Sequence, residues 1–502
     1  MTEWWRSAVI YQVYPRSFQD SDGDGVGDLP GTMRRLPHIA ALGADAVWIS
    51  PFFKSPMADM GYDVSDYRDV DPLFGTLGDF DALIAEAHRL GLRIIVDLVL
   101  SHTSDQHRWF VESRADRTNP KADWYVWANP KPDGTAPNNW LSVFGGPAWE
   151  WDGVRMQYYM HSFLAAQPQL NLHNPQVQDE LLDTARFWLD RGVDGFRLDA
   201  CNHYFHDPKL RDNPPRKPSH DAHDIPETNP YGFQEHDFDK SQPQNLAFLA
   251  RLRALLGEYP GRVGIGEVGD GDRSPRTVGR YTGGTRLHCC YTFDLFGPEF
   301  DPRHFRGVFG KFGKAAMDGR VCWSFSNHDV VRHVSRWAQP CDDPKAIAAL
   351  AINLLVALRG PVCIYQGEEL GLTEAELAFE ELRDPYGIRF WPAFKGRDGC
   401  RTPMPWEARA PNAGFTTGKP WLPVPDAHRN AAVDVQAVDP VSVLVLYREA
   451  IALRKAHPAL ADGSIRFLAA TDDILAFERS GGGETLRCVF NFARRTVRWR
   501  GI

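Results

Sequence analysis

The chain is poor in cysteine. Its eight, at 201, 289, 290, 322, 341, 363, 400 and 488 of 502 residues, form no CxxC pair and no metal-ligand spacing. That excludes a disulfide-built scaffold and a zinc module, and reads as reduced core thiols of a cytoplasmic protein. Long apolar runs are also missing. The most apolar stretch, AIAALAINLLVAL at 346–358, contains Asn353 and is too short for a bilayer, so it reads as a buried helix. The start, MTEWWRS, passes straight into AVIYQVY with no apolar leader or small-residue cleavage site, so no signal peptide is expected. Basic residues are outnumbered, 56 to 65, giving a net charge of −9. That argues against nucleic-acid and membrane partners. No internal repeat or low-complexity tract is evident.

What is present is ordinary globular composition, 43% hydrophobic and 24% charged, with 12% aromatics that include 16 Trp. Short β-branched or aromatic runs fall at 8–14, 45–51, 93–100, 194–199, 263–268, 291–294, 321–326 and 361–366. Helical patterns such as 78–90, 176–191 and 244–257 lie between them. Eight alternating units predict an α/β chain folded as a closed (β/α)8 barrel over 1–102 and 171–441. Residues 103–170, rich in Trp, Pro and Asn, predict an inserted subdomain after the third strand. The Pro-, His- and Asp-rich stretch 203–243 predicts an extended rim loop after the fourth, and 371–425 is a third long connection. A last helix at 442–461 leads to a small antiparallel domain at 462–502. That domain stops in RWRGI, which reads as an unpaired strand of a shortened domain.

Three strand ends carry acids: GFRLDA at 195–200, GIGEVGD at 264–270 and SFSNHD at 324–329. In a barrel the C-terminal ends of the strands share one face, so Asp199, Glu267 and Asp329 converge there. Two converging carboxylates are the equipment for breaking a glycosidic bond. Alternation puts Arg197 on the same side as Asp199, where a guanidinium would hold the carboxylate ionised, as a nucleophile requires. Burial of Glu267 would raise its pKa, as a general acid requires. His328 beside Asp329 could bind hydroxyls or a metal, and a structural Arg–Asp or His–Asp contact is the bland alternative in each case. His102 closes the third strand, and Asp97 packs in the barrel mouth. Separately, Asp20, Asp22, Asp24 and Asp28 alternate with small residues around Val26. With the Val26 carbonyl they resemble a hard-cation loop. The twelfth position is Gly31 and the flanks are not helix–loop–helix, so this is no EF-hand but a structural Ca²⁺ or Mg²⁺ site.

At this point the chain resembles glycoside hydrolase family 13, the α-amylase superfamily, in its oligo-1,6-glucosidase and α-glucosidase group. The motifs are AVIYQVYPRSFQDSDGDGVGDLPG, ADAVWISPF, GYDVSDY, DLVLSHTSDQHRWF, QPQLN, GFRLDA, GEVGD, SNHD and GRDGCRTPMPW, in order. The resemblance implies a retaining mechanism: Asp199 as nucleophile, Glu267 as acid and base, and Asp329 as transition-state stabiliser. His102, Arg197 and His328 would contact the sugar or the nucleophile, and Tyr62 would stack on it. Asp59, paired with Arg397 or Arg401, would close the non-reducing end, and Phe144 and Phe163 would wall the pocket. Gln169 departs from the family's usual Asp. Ala200 after the nucleophile implies α-1,4 over α-1,6 preference.

The resulting expectation is an exo-acting retaining α-glucosidase acting on short substrates such as maltose, with transfer to hydroxyl acceptors. A sucrose-active transglucosylase or isomerase, or an α-1,6-glucosidase, is the alternative within the family. A non-catalytic transporter-subunit barrel would need a membrane span and a broken acid set, and an endo-amylase would lack the Asp59–Arg closure. Expected partners are small sugars only, in a monomer or homodimer with no organic cofactor.

Overall fold

The computed structural model describes residues 3–217, 225–316, 320–339 and 342–499. Eight parallel strands form its centre: β1 Val9–Val13, β2 Ala46–Ile49, β3 Arg93–Leu98, β4 Gly195–Leu198, β5 Val263–Val268, β6 Cys289–Thr292, β7 Trp323–Ser324 and β8 Val362–Tyr365. They pair in the order β6-β5-β4-β3-β2-β1-β8-β7. A parallel bridge between Cys290 and Val321 joins the two ends and closes the barrel. The sixth strand begins two residues before the expected segment. The seventh is only two residues long, because Val321 reaches its neighbour through a single bridge.

The strands are buried throughout, which explains their near-continuous apolar sequence: helices cover one face and the barrel interior the other. Val9, Tyr11, Val47, Ile49, Ile94 and Val96 pack outward into the main core. Ile10, Trp48, Ile95, Ile265, Cys289, Tyr291 and Cys363 fill the interior. With a side-chain period of two, Asp97 stands one layer above Ile95 and Glu267 one layer above Ile265. The chemistry-bearing residues are thus the top layer of the inward-facing rows.

The surrounding helices begin where capping chemistry allows. Asp28 accepts from the Gly31 amide to start Leu29–Leu42, and Gly43 ends it in the left-handed conformation. Thr76 and Asp79 form a capping box for Leu77–Arg89. The most apolar stretch is the buried helix Pro344–Ala357, too short to cross a membrane, and among the described residues no helix is long and apolar enough to do so.

After β3 the chain forms a three-stranded antiparallel sheet from Trp127–Ala128, Gln157–Met160 and Trp149–Asp152. At the C-terminal side, β9 Ser464–Ala470, β10 Ile474–Gly481 and β11 Glu484–Asn491 form an antiparallel sheet. The strand expected toward RWRGI is not formed through residue 499. The chain leaves the sheet after Asn491, whose Nδ2 donates to the Arg495 carbonyl, and Arg494 pairs with Asp342. Residues 500–502 lie outside the described residues. The seven described cysteines are free, and six of them are buried; Cys341 lies outside the described residues.

Candidate active site

Arg197, on β4 and 1% exposed, organises the acids. Its Nη1 donates to Asp97 Oδ1 at 2.8 Å and Asp199 Oδ1 at 2.7 Å, and its Nη2 lies 2.5 Å from Glu267 Oε1. The guanidinium carbon sits 4.9 Å from the Trp48 ring centroid. Three carboxylates therefore face one cation. Burial pushes Asp97 up to about 6 against the pull of Arg197. Burial likewise pushes Asp199 well above the carboxylate range, with Arg197 opposing and the Glu267 and Asp97 charges adding to the rise. The sequence reading has a guanidinium hold Asp199 ionised; here burial and the two neighbouring acids act against Arg197 and raise the carboxyl.

Both Glu267 oxygens are occupied. Oε1 accepts from the Tyr291 hydroxyl at 2.6 Å, and Oε2 accepts from the Ala200 amide at 2.7 Å. Ala200 adopts φ 39°, ψ 45°, an uncommon conformation for a residue with a side chain, and this aims its amide across the pocket.

Asp329 belongs to a second cluster. Burial opposes its ionisation, but the Arg397 and Arg401 guanidiniums beside it outweigh burial and hold its carboxyl well below the usual range. Arg401 Nη2 is 2.9 Å and Arg397 Nη1 3.2 Å from Asp329 Oδ1. His328 is kept neutral by burial, its Nδ1 2.8 Å from Gln12 Nε2 and its Nε2 2.5 Å from the Tyr62 hydroxyl. Of the two arginines the sequence left open, Arg397 pairs with Asp59, at 2.8 Å, and Arg401 turns to Asp329 and the His328 carbonyl. Asp384 also holds Arg397, at 2.7 Å.

Tyr62 lies parallel to His328 at 5.3 Å and donates to Asp97 Oδ2. Burial lowers His102 to about 4, so it is neutral, and its Nε2 lies 3.1 Å from the Tyr62 carbonyl. Phe144 packs on Tyr386, 4.9 Å away, and under the Arg397 guanidinium; Phe163 neighbours His102. The sequence-derived residues Asp59, Tyr62, His102, Phe144, Phe163, Asp199, Ala200, Glu267, Asp329 and Arg397 line one pocket, and Arg197, His328 and Arg401 stand behind that lining. Gln169 is structural in its contacts: its Nε2 donates to the His203 carbonyl and its Oε1 accepts from Ser162, a donor–acceptor pairing no ionised Asp could make.

Sequence reasoning missed Tyr291, Gln167 and Asp384. Tyr291 sits at an inward position of β6, and its aromatic type gave no functional signal. Gln167, which donates to Asp59 Oδ2 at 3.1 Å, lies in the QPQLN motif that could have flagged it. Asp384 lies in an irregular connection with no periodic pattern.

In the acidic loop, Asp20, Asp22 and Asp28 bring carboxylate oxygens within 4.8 Å of one another. Asp24 is not in this group; its Oδ1 accepts from the Val26 amide. Its carboxyl is raised by burial and by the charges of Asp22 and Asp20. Asp20 already accepts from the amides of Asp22, Gly23 and Gly25. The all-oxygen set of Asp20, Asp22 and Asp28 fits a hard cation, while Asp24 would have to turn to join it.

A barrel with acids at three strand ends, converging on one pocket, defines a TIM-barrel glycoside hydrolase. The chain belongs to the α-amylase family, whose catalytic-domain model, "Alpha amylase, catalytic domain", matches residues 12–463. Within that family it is a glycosidase of the α-glucosidase and oligo-1,6-glucosidase group. It is 61% identical over 494 residues to a probable alpha-glucosidase of Rhizobium meliloti, covering 98% of this chain and 90% of that one. It is 38% identical over 535 residues to an oligo-1,6-glucosidase of Heyndrickxia coagulans, covering 99% and 93%. Among solved structures, the alpha-glucosyl transfer enzyme XgtA superposes with a TM-score of 0.96 at 57% identity, over 98% of this chain and 92% of that one. The trehalulose synthase MutB of Pseudomonas mesoacidophila gives 0.88 at 36%, over 97% and 90%.

Proposed function

We propose that the protein is a retaining, exo-acting α-glucosidase that releases terminal glucose from short α-linked substrates and transfers it to hydroxyl acceptors. The observation that carries this reading is the single Arg197 guanidinium held by both Asp199 and Glu267. One guanidinium between two acids suits the short carboxyl separation, about 5–5.5 Å, of retaining pairs. In this reading Asp199 attacks the anomeric carbon while Glu267 protonates the leaving oxygen. Glu267 then deprotonates water, or an acceptor hydroxyl, to release the sugar. Asp329, kept ionised by Arg397 and Arg401, faces the positive charge that develops on the ring.

The Asp59–Arg397–Asp384 contacts support a closed inner end that admits one terminal residue, hence exo-action. Ala200 in the pocket wall supports preference for α-1,4 bonds, as in maltose. The likeness to an α-glucosyl transfer enzyme supports transfer, and the likeness to a trehalulose synthase keeps sucrose as the second candidate substrate. The reduced thiols fit a cytoplasmic setting. We also propose that Asp20, Asp22 and Asp28 hold a structural Ca²⁺ or Mg²⁺.

The test is incubation with maltose, isomaltose and sucrose in separate reactions, following products by nuclear magnetic resonance from the first minutes. Rapid release of α-glucose from maltose, ahead of isomaltose, is the expected result. Release of β-glucose would overturn retention, and sucrose isomerisation outpacing maltose cleavage would favour the second reading.

A further inference from the structure

The pocket continues past the acids to an outer wall made by the connection after β4 and the turn after β5. Lys240 lines that wall beside Asn202 and Gly269, and is only 8% exposed. Its Nζ donates to the Gly269 carbonyl at 3.0 Å and lies 5.4 Å from the Tyr231 ring centroid. The neighbouring acid, Asp239, gives its Oδ2 to His236 at 2.6 Å. Among the described residues Lys240 has no ion-pair partner. An ammonium carries three donors, and Asp239, whose carboxyl its charge helps to hold low, accepts none of them within ion-pair distance. One carbonyl and one ring meet only part of that demand, so donors remain for whatever enters the pocket.

A Cβ on Gly269 would meet the Phe293 ring at 3.6 and 3.7 Å, ordinary contact, so no crowding requires the glycine. Its carbonyl also accepts from Asn202 Nδ2 at 3.0 Å, which ties the two connections together. Lys240, Tyr231 and Gly269 also border a second hollow farther out. Of the arginines there, Arg273 is paired with Asp237 at 2.6 Å and Asp270 at 3.1 Å, and Arg216 donates to the Gly232 carbonyl at 3.3 Å; among the described residues Lys240 is the cation that borders both spaces.

We propose that Lys240 is a specificity-determining residue of the leaving-group and acceptor subsite, donating hydrogen bonds to hydroxyl oxygens of a neutral sugar. The inference rests on the α-glucosidase reading and deepens it. A neutral partner is favoured over an anionic one because Asp59, Asp199, Glu267 and Asp329 line the same pocket. A bonded glucose or a sugar acceptor brings the oxygens that the ammonium lacks. A leaving group without oxygens gains nothing from Lys240.

The test compares wild type, Lys240→Met and Lys240→Arg on maltose and on α-glucosyl fluoride, whose leaving group is one atom. The expected result is at least a tenfold fall in kcat/KM for maltose in Lys240→Met, the scale of a lost charge-assisted hydrogen bond. The fall on the fluoride should be several times smaller, transfer to added glucose should drop relative to hydrolysis, and Lys240→Arg should recover part of the loss. Equal falls on both substrates would show that Lys240 only props the Gly269 turn, and an unchanged maltose value would remove it from the subsite. Either result overturns the inference. Failure of wild type to cleave either substrate would instead overturn the α-glucosidase reading beneath it.

Discussion

The two ends of the pocket solve the problem of buried charge differently. At the inner end Arg397 is held by Asp59 and Asp384 and touches Asp329, which Arg401 also holds, so cations and anions meet within 3.2 Å. At the outer wall Lys240 leans on a carbonyl and a ring. A cluster of paired charges is rigid and recognises one shape, whereas an underpaired donor waits for a partner. On the proposed function, the contrast teaches that a terminal sugar would be read by fixed geometry, while what it is attached to, or transferred to, would be read by an ammonium with donors to spare.

The comparison breaks first at the chemistry common to both ends. Asp199→Asn or Glu267→Gln should lower turnover on maltose by several orders of magnitude with the melting temperature nearly unchanged, because the lost step is chemical rather than packing. Near-wild-type activity in either variant would remove the assigned roles. A smaller but broader effect belongs to the inner end. Arg397→Met leaves Asp59 and Asp384 without their shared cation, and should cost about 3–5 kcal/mol in denaturant unfolding as well as activity on every substrate. A loss confined to one substrate would show that the inner end is not the fixed half of the pocket. The smallest effect lies outside both ends. Chelation of divalent ions should lower the melting temperature while leaving the ratio of maltose to isomaltose cleavage unchanged, and an identical melting curve would withdraw the metal from the Asp20–Asp28 loop.

Much of the barrel was legible because its signals are local. Runs such as RIIVDLVL are apolar on both faces, as only strands covered on both sides can be; Asp199 directly follows β4, Glu267 lies near the end of β5 and Asp329 falls shortly past β7. The acids could be read for the same reason: a carboxylate at or just past the end of a buried strand has few places to go but the barrel mouth. What escaped the sequence depends on partners far along the chain. Asp384 becomes meaningful only beside Arg397 and Asp59, and Lys240 only beside Gly269, across loops without periodicity. Tyr291 looked like core because it is core below the ring and site at the hydroxyl. The tail misled for the opposite reason. The run toward RWRGI has strand character, but Arg494 pairs with Asp342 and Arg495 with Asp473 at the turn before β10, and no strand forms through residue 499.

The thiols give the molecule a built-in gauge. Six of the seven described cysteines are buried, and burial lifts Cys201, Cys289, Cys363 and Cys400 far above the ordinary thiol range. While the barrel stays shut they are poor nucleophiles shielded from reagents, and Cys201 is further engaged with the Glu267 carbonyl. Each becomes reactive only when the packing around it opens. The speed with which these buried thiols take up an alkylating label therefore clocks barrel opening, strand by strand, without any introduced cysteine.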